Sequence, residues 1–145
     1  MPSRVSSAMT HTAAPREALQ NVHLALQTTR GAAVCVMALD TRLGTLAYSG
    51  AGNIAGRLLS GVFDKSIVTQ HGTAGIQIRR PEVTSVDLPP HALLIAHSDG
   101  LETRWKGERL LPVLRSDPGL VAALLWRDHT RHRDDATVVV LRRKD

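Results

Sequence analysis

Residues 88–105 read LPPHALLIAHSDGLETRW, and residues 127–142 read RDHTRHRDDATVVVLR. Each holds a short run that is apolar at odd and even positions alike, Ala92–His97 in the first and Ala136–Leu141 in the second. Runs of that length predict strands, and apolar residues at both parities predict cover on both faces. An acidic turn adjoins each strand: Ser98-Asp99-Gly100 follows the first, and Arg133-Asp134-Asp135 precedes the second. If the strands lie antiparallel as neighbours, the end of one meets the start of the other, and Asp99 and Asp134 project from the same rim of a sheet. Carboxylates at such a rim suit a hard cation such as Mg2+ or Mn2+, which keeps waters in its shell and activates one for attack on phosphorus. An Asp-Gly pair by itself signals only a turn.

Between these strands, helical patterns run near Arg109–Arg115 and over Pro118–His129. The second has Asp117 as its N-cap and an apolar stripe of Leu120, Val121, Leu124 and Leu125. Toward the N-terminus, Pro15 opens a helix with Leu19, Val22 and Leu26 on one face, ending near Thr29. Gly31–Leu39 predicts a strand buried on both faces, and Asp40–Gly44 a turn into a second strand, Thr45–Ser49. Shorter strands at Ala55–Leu59, Ser66–Gln70, Ile76–Ile78 and Val83–Leu88, separated by glycine turns and Pro89-Pro90, complete a β-meander. The fold class that follows is α/β, a layered α-β-β-α sandwich of mostly antiparallel sheets. Residues 1–14 are small and polar without apolar period, which predicts a disordered leader ahead of a single domain at residues 15–145.

Composition removes several function classes. No apolar run approaches the ~18 residues of a membrane span, and the start lacks a charged-then-apolar secretory pattern, so a cytoplasmic protein with no membrane partner is expected. Cys35 is the only cysteine, so no intrachain disulfide forms, and it reads as a small core residue. A cysteine phosphatase would need an arginine six positions after it, where Thr41 stands, with Arg42 one place too late. The net charge of +5 is spread thinly except at Arg127–Arg133 and Arg142–Lys144, and with one Phe and one Tyr there is little surface for stacking bases. Nucleic acid is therefore not an expected partner. The run Gly50–Ala55 fits a relaxed dinucleotide fingerprint, but Gly56 and Gly61 interrupt the helix it needs and no acidic residue stands about 20 positions on. His97, Ser98 and Asp99 are sequence neighbours, whereas a hydrolytic triad needs its histidine between the other two in space. His129 and His132 read as solvated or outlying groups, Trp105 and Trp126 as core or rim packing, and Arg104, Arg131 and Arg133 as groups suited to holding a phosphate.

Taken in order, TRGAAV, LAYSGAGNIAGRLL, QHGTAG, LPPHALLIAHSDGLETRW and RDHTRHRDDATVVVLR resemble the SpoIIE/RsbX-like branch of the metal-dependent, 2C-type serine/threonine protein phosphatases. The resemblance runs from about Arg16 to Arg142 and is most specific in its last third. It implies that Asp99 and Asp134 ligate Mn2+ or Mg2+, with Asp135 a neighbour. It also implies that Asn53, Thr73 and Gly75 line turns beside the substrate. Glycine turns between strands account for those three equally well. The family's N-terminal Asp-Gly motif, whose aspartate bridges two metals, has no counterpart, and the first acidic residue is Glu17. The expectation is a fold lacking the family's N-terminal strands, one metal at best, and a homodimer through the open sheet edge. The activity implied is removal of phosphate from phosphoserine or phosphothreonine of a bacterial regulatory protein of anti-anti-sigma type. The alternative is a catalytically inactive interaction module.

Overall fold

The computed structural model describes residues 14–133 and 135–144, so Asp134 and all of the predicted leader except Ala14 lie outside the described residues. In chain order the elements are α1 (Pro15–Ala25), β1 (Val34–Asp40), β2 (Thr45–Ala51), β3 (Ala55–Leu59), β4 (Asp64–Val68), β5 (Gly72–Thr73), β6 (Gln77–Ile78), β7 (Thr84–Asp87), β8 (Leu93–His97), a 3₁₀ helix (Gly107–Val113), α2 (Pro118–His129) and β9 (Val138–Arg142). They form two compact units, one from the described residues of 1–53 and 69–87, the other from 54–68 and 88–145.

The first unit is an antiparallel sheet in the order β1-β2-β7, with a separate β5-β6 ladder. Leu19 and Val22 of α1 are buried as their spacing predicts, and Leu19 packs with Ala18 and Val36. The helix stops at Ala25, four residues before the predicted end, because the Leu26 carbonyl accepts from both the backbone N–H and the hydroxyl of Thr29, at 2.9 and 2.7 Å. The β1-β2 hairpin turns where expected: Asp40 Oδ1 accepts from the amides of Arg42 and Leu43 at 3.0 and 2.9 Å, and Gly44 takes φ 66°. The prediction that β1 is buried on both faces fails. It is an edge strand whose only buried side chain is Val36, and Leu39 is 41% exposed. Cys35, expected in the core, is only partly buried; that burial still pushes its thiol up to about 11. The thiol is thus protonated at neutral pH, which fits its exclusion as a nucleophile.

The second unit is an antiparallel sheet in the order β4-β3-β8-β9, with the 3₁₀ helix and α2. The meander expected over residues 45–88 does not form as one sheet: β3 pairs with both β4 and β8, and β7 pairs with β2. Strand β8 is central, with Leu93, Leu94 and Ile95 all at 2% exposure or less, which fits its doubly apolar sequence. Strand β9 is the edge. Val138 and Val140 pack on a core of Leu93, Ile95, Leu101, Trp105, Val121 and Leu125, while Val139 and Leu141 stand about half exposed. Its predicted second dry face is therefore corrected. Helix α2 has the predicted bounds, and Asp117 Oδ1 caps it by accepting from the Gly119 amide at 2.7 Å. Its buried stripe is narrower than predicted, Val121 and Leu125, with Leu120 46% exposed. The helix expected at Arg109–Arg115 is a 3₁₀ turn that contains Pro112, a residue with no N–H to donate to an α-helical ladder. No helix among the described residues is long and apolar enough to cross a membrane.

Candidate functional site

Strands β8 and β9 are antiparallel neighbours, with His97 opposite Val138. The ladder continues one step into the turns. The Ser98 amide donates to the Thr137 carbonyl and the Thr137 amide to Ser98 Oγ, both at 3.0 Å. Beyond it the turns touch. A Cβ built on Gly100 would meet the Asp135 carbonyl oxygen and lie 2.8 Å from Ala136 Cα. The far side is tied to the end of α2, where the Arg131 amide donates to the Gly100 carbonyl at 2.8 Å and the Glu102 amide to the His129 carbonyl at 2.9 Å. The acidic turn at 98–100 is thus stitched to both ends of the segment 129–137. Asp99 and Asp135 are exposed there, and Asp134 lies outside the described residues.

Gly100 is needed for close approach rather than for backbone freedom, since both obstacles are backbone atoms that cannot rotate away. Gly100→Ala should destabilise the fold by about 1–3 kcal/mol, the usual range for overpacking. Urea unfolding of both proteins checks this, and a change below about 0.5 kcal/mol, within surface-substitution scatter, would show that the turns can separate freely.

Beneath the turn lies a group that reading the sequence missed. His97 is 3% exposed, and its Nε2 accepts a long hydrogen bond from Trp105 Nε1–H at 3.4 Å. The tautomer that fits this carries its proton on Nδ1, which donates to the Ser98 carbonyl at 2.9 Å. Burial lowers the pKa of His97 below its ordinary value; Arg57, Arg131 and His129 push the same way, and the Ser98 hydrogen bond opposes them. The ring is neutral and holds the turn from inside. Trp105, 3% exposed, carries the Arg57 guanidinium over its ring at 3.8 Å, and Arg57 Nη1 pairs with Asp64 at 2.9 Å. A legible signal was present: His97 is the one polar residue in an otherwise apolar strand, and a buried polar group requires a partner.

The other predicted site residues separate. Asn53 and Thr73 line one hollow of about 320 Å³ in the first unit, with His71 on its wall. Gly75 is buried apart from that hollow; its φ is 95°, its amide donates to His23 Nδ1 at 2.8 Å, and a Cβ there would lie 2.6 Å from the Leu26 carbonyl oxygen. Packing alone explains that glycine. In the second unit Arg104 and Arg133 are exposed, and Arg133 shares a polar hollow of about 910 Å³ with Trp126, Asp135 and Thr137.

Among the described residues no three His, Cys, Asp or Glu side chains come together as a metal cluster. The carboxylates at the two turns are hard oxygen donors, the chemistry that Mg2+ and Mn2+ take, and Mg2+ binds commonly through one or two carboxylates with water completing the shell. The donor set therefore fits a single hydrated divalent ion. Among the described residues it does not include the shared carboxylates that hold two such charges about 4 Å apart.

The chain has the fold of the PP2C-type phosphatases. A structure described with the bacterial stressosome, as a modular system adapted to control secondary messenger signaling, superposes with a TM-score of 0.81 at 24% identity over 97% of this chain and 72% of that one. RsbX in complex with magnesium gives 0.70 at 16% identity, over 86% of this chain and 62% of RsbX. The PP2C phosphatase domain with a regulatory fragment of SpoIIE from Bacillus subtilis gives 0.73 at 20%, over 97% of this chain and 47% of that one. Within this class, the model of the Stage II sporulation protein E (SpoIIE) family matches residues 3–144, and the chain belongs to that family. None of the curated proteins matches it.

Proposed function

We propose that this chain is a metal-dependent phosphatase domain that removes phosphate from phosphoserine or phosphothreonine of a bacterial regulatory protein in the cytoplasm. The partner best suited to the family is a small anti-anti-sigma-type protein. The observation that carries the reading is the junction of the two acidic turns at one rim, through the Ser98–Thr137 hydrogen bonds and the Gly100–Asp135 contact.

Asp99 and Asp134, the pair that the family resemblance implies, would hold one Mn2+ or Mg2+. Such an ion supplies Lewis-acid activation of water and offsets negative charge on the phosphoryl oxygens. The chain's own contribution is rigidity and charge. His97 fixes the Ser98 carbonyl from below, Gly100 locks the turn to its neighbour, and Arg133 and Arg104 are exposed cations suited to a phosphate dianion. Asp135 would neighbour the ion, and Asn53 and Thr73 are the substrate-facing candidates of the first unit.

A second reading, an inactive interaction module, is favoured by the absence of a three-ligand cluster among the described residues. Hydrolysis of a phosphoserine peptide by the purified chain with Mn2+, against the same sample with excess chelator, separates the two. Turnover only with Mn2+ supports the enzyme; equal, background rates leave the interaction module. The partners also include a second copy at β9, whose edge position exposes Val139 and Leu141. The expected result is a dimer mass by light scattering at tens of micromolar, and a monomer throughout that range removes it.

A further inference from the structure

Trp126 is the one exposed tryptophan, 49% exposed near the end of α2, whereas Trp105 is buried. Its backbone carbonyl accepts from both the amide and the hydroxyl of Thr130, so the end of the helix that carries it is pinned. It lines the hollow of about 910 Å³ whose other walls include Arg133, Asp135 and Thr137. That hollow is continuous with the acidic junction, because Thr137 holds Ser98 and the Asp135 carbonyl oxygen abuts Gly100.

The cations around it differ in what they already do. Arg127 is neutralised by Asp128, with Nε 2.7 Å from Oδ1, and Arg131 Nε donates to the Leu101 carbonyl at 3.4 Å. Arg133 is exposed and makes no hydrogen bond or ion pair among the described residues. A half-exposed indole on a pinned helix end, beside an uncommitted guanidinium, is the composition of a binding anchor: the aromatic supplies area at little entropic cost, and the guanidinium forks onto phosphate. The hollow lies open along the surface, so an extended segment can be laid into it without threading. Asp135 and Thr137 offer acceptors to the backbone N–H groups of such a segment.

We infer that Trp126 and Arg133 form the docking surface for the phosphorylated segment of a protein partner, Arg133 taking the phosphate and Trp126 the residue beside it. The choice of partner rests on the phosphatase reading, but binding does not require turnover. The test is fluorescence anisotropy of a labelled decapeptide pool, degenerate except for a central phosphoserine, titrated with the full chain without metal. Saturable binding is expected, at least about tenfold weaker for the unphosphorylated pool, and weakened about tenfold by Arg133→Gln and by Trp126→Ala. Both residues are exposed, so each variant should fold. No binding, equal binding of the two pools, or undiminished binding by Trp126→Ala overturns the inference. Binding by a chain that hydrolyses nothing supports this surface while removing the enzyme reading.

Discussion

Trp105→Ala is expected to remove about 3–5 kcal/mol of folding stability, the range for truncating a buried aromatic side chain. Three losses add. The indole sits at 3% exposure among Leu59, Leu93, Ile95, Leu101, Val121 and Leu125, so its removal leaves a void that the strand β8 and helix α2 cannot both collapse into. The Arg57 guanidinium, stacked at 3.8 Å and tied to Asp64, loses its aromatic floor, which is worth about 0.5–2 kcal/mol when partly desolvated. The Nε2 atom of buried His97 loses its donor. Against a total stability of about 5–15 kcal/mol for a typical domain, that loss populates the unfolded chain. Trp105→Phe separates the contributions, because it keeps most of the packing and the cation–π contact while removing the N–H. It should cost clearly less, about 1–2 kcal/mol, on the scale of a buried acceptor left unpaired plus lost volume. Urea midpoints for the three proteins decide it, and a Trp105→Ala cost under about 1.5 kcal/mol would mean that the cluster is not the support proposed for the turn.

That cluster also marks where reading the sequence stopped. Strand β3 and helix α2 were legible to the residue, and the pairing of β8 with β9 followed from two apolar runs each joined to an acidic turn. Such local patterns are visible because side-chain period and capping chemistry act within a few residues. Edge position is not local. Nothing in VCVMALD or VVVLR says that, among the described residues, no further strand pairs with one side of β1 or β9, so Leu39, Val139 and Leu141 read as core yet stand exposed. The same holds for pairing partners: β3 could be read as a hairpin with β4, but its second neighbour, β8, begins 34 residues after β3 ends. At the site, the acidic turns were legible as residue types, whereas the Arg57–Trp105–His97 support draws on three separated segments that only the folded sheet brings together.

For the chemistry itself, the decisive substitution is Asp99→Asn, expected to lower Mn2+-dependent hydrolysis of a phosphoserine substrate by at least about a hundredfold. Changing groups that merely orient a metal's ligands costs about 10–100-fold, so removing the charge of Asp99, if it is the ligand proposed, should cost no less. The amide keeps the volume and one carbonyl oxygen of the carboxylate but lacks its negative charge, and hard-cation affinity depends on that charge. Asp99 is exposed, so the fold should hold and the melting temperature should move by no more than a few degrees. Two further measurements keep the result interpretable. Raising Mn2+ should recover part of the lost rate, because an affinity defect is offset by mass action whereas a displaced turn is not. Asp135→Asn, at the residue proposed to neighbour the ion, should cost less than Asp99→Asn under the same conditions. If Asp99→Asn retains more than about a third of the wild-type rate, far above the range for outlying groups, the ion is not held at the junction of these two turns, and the rim that joins Ser98 to Thr137 is an architectural seam only.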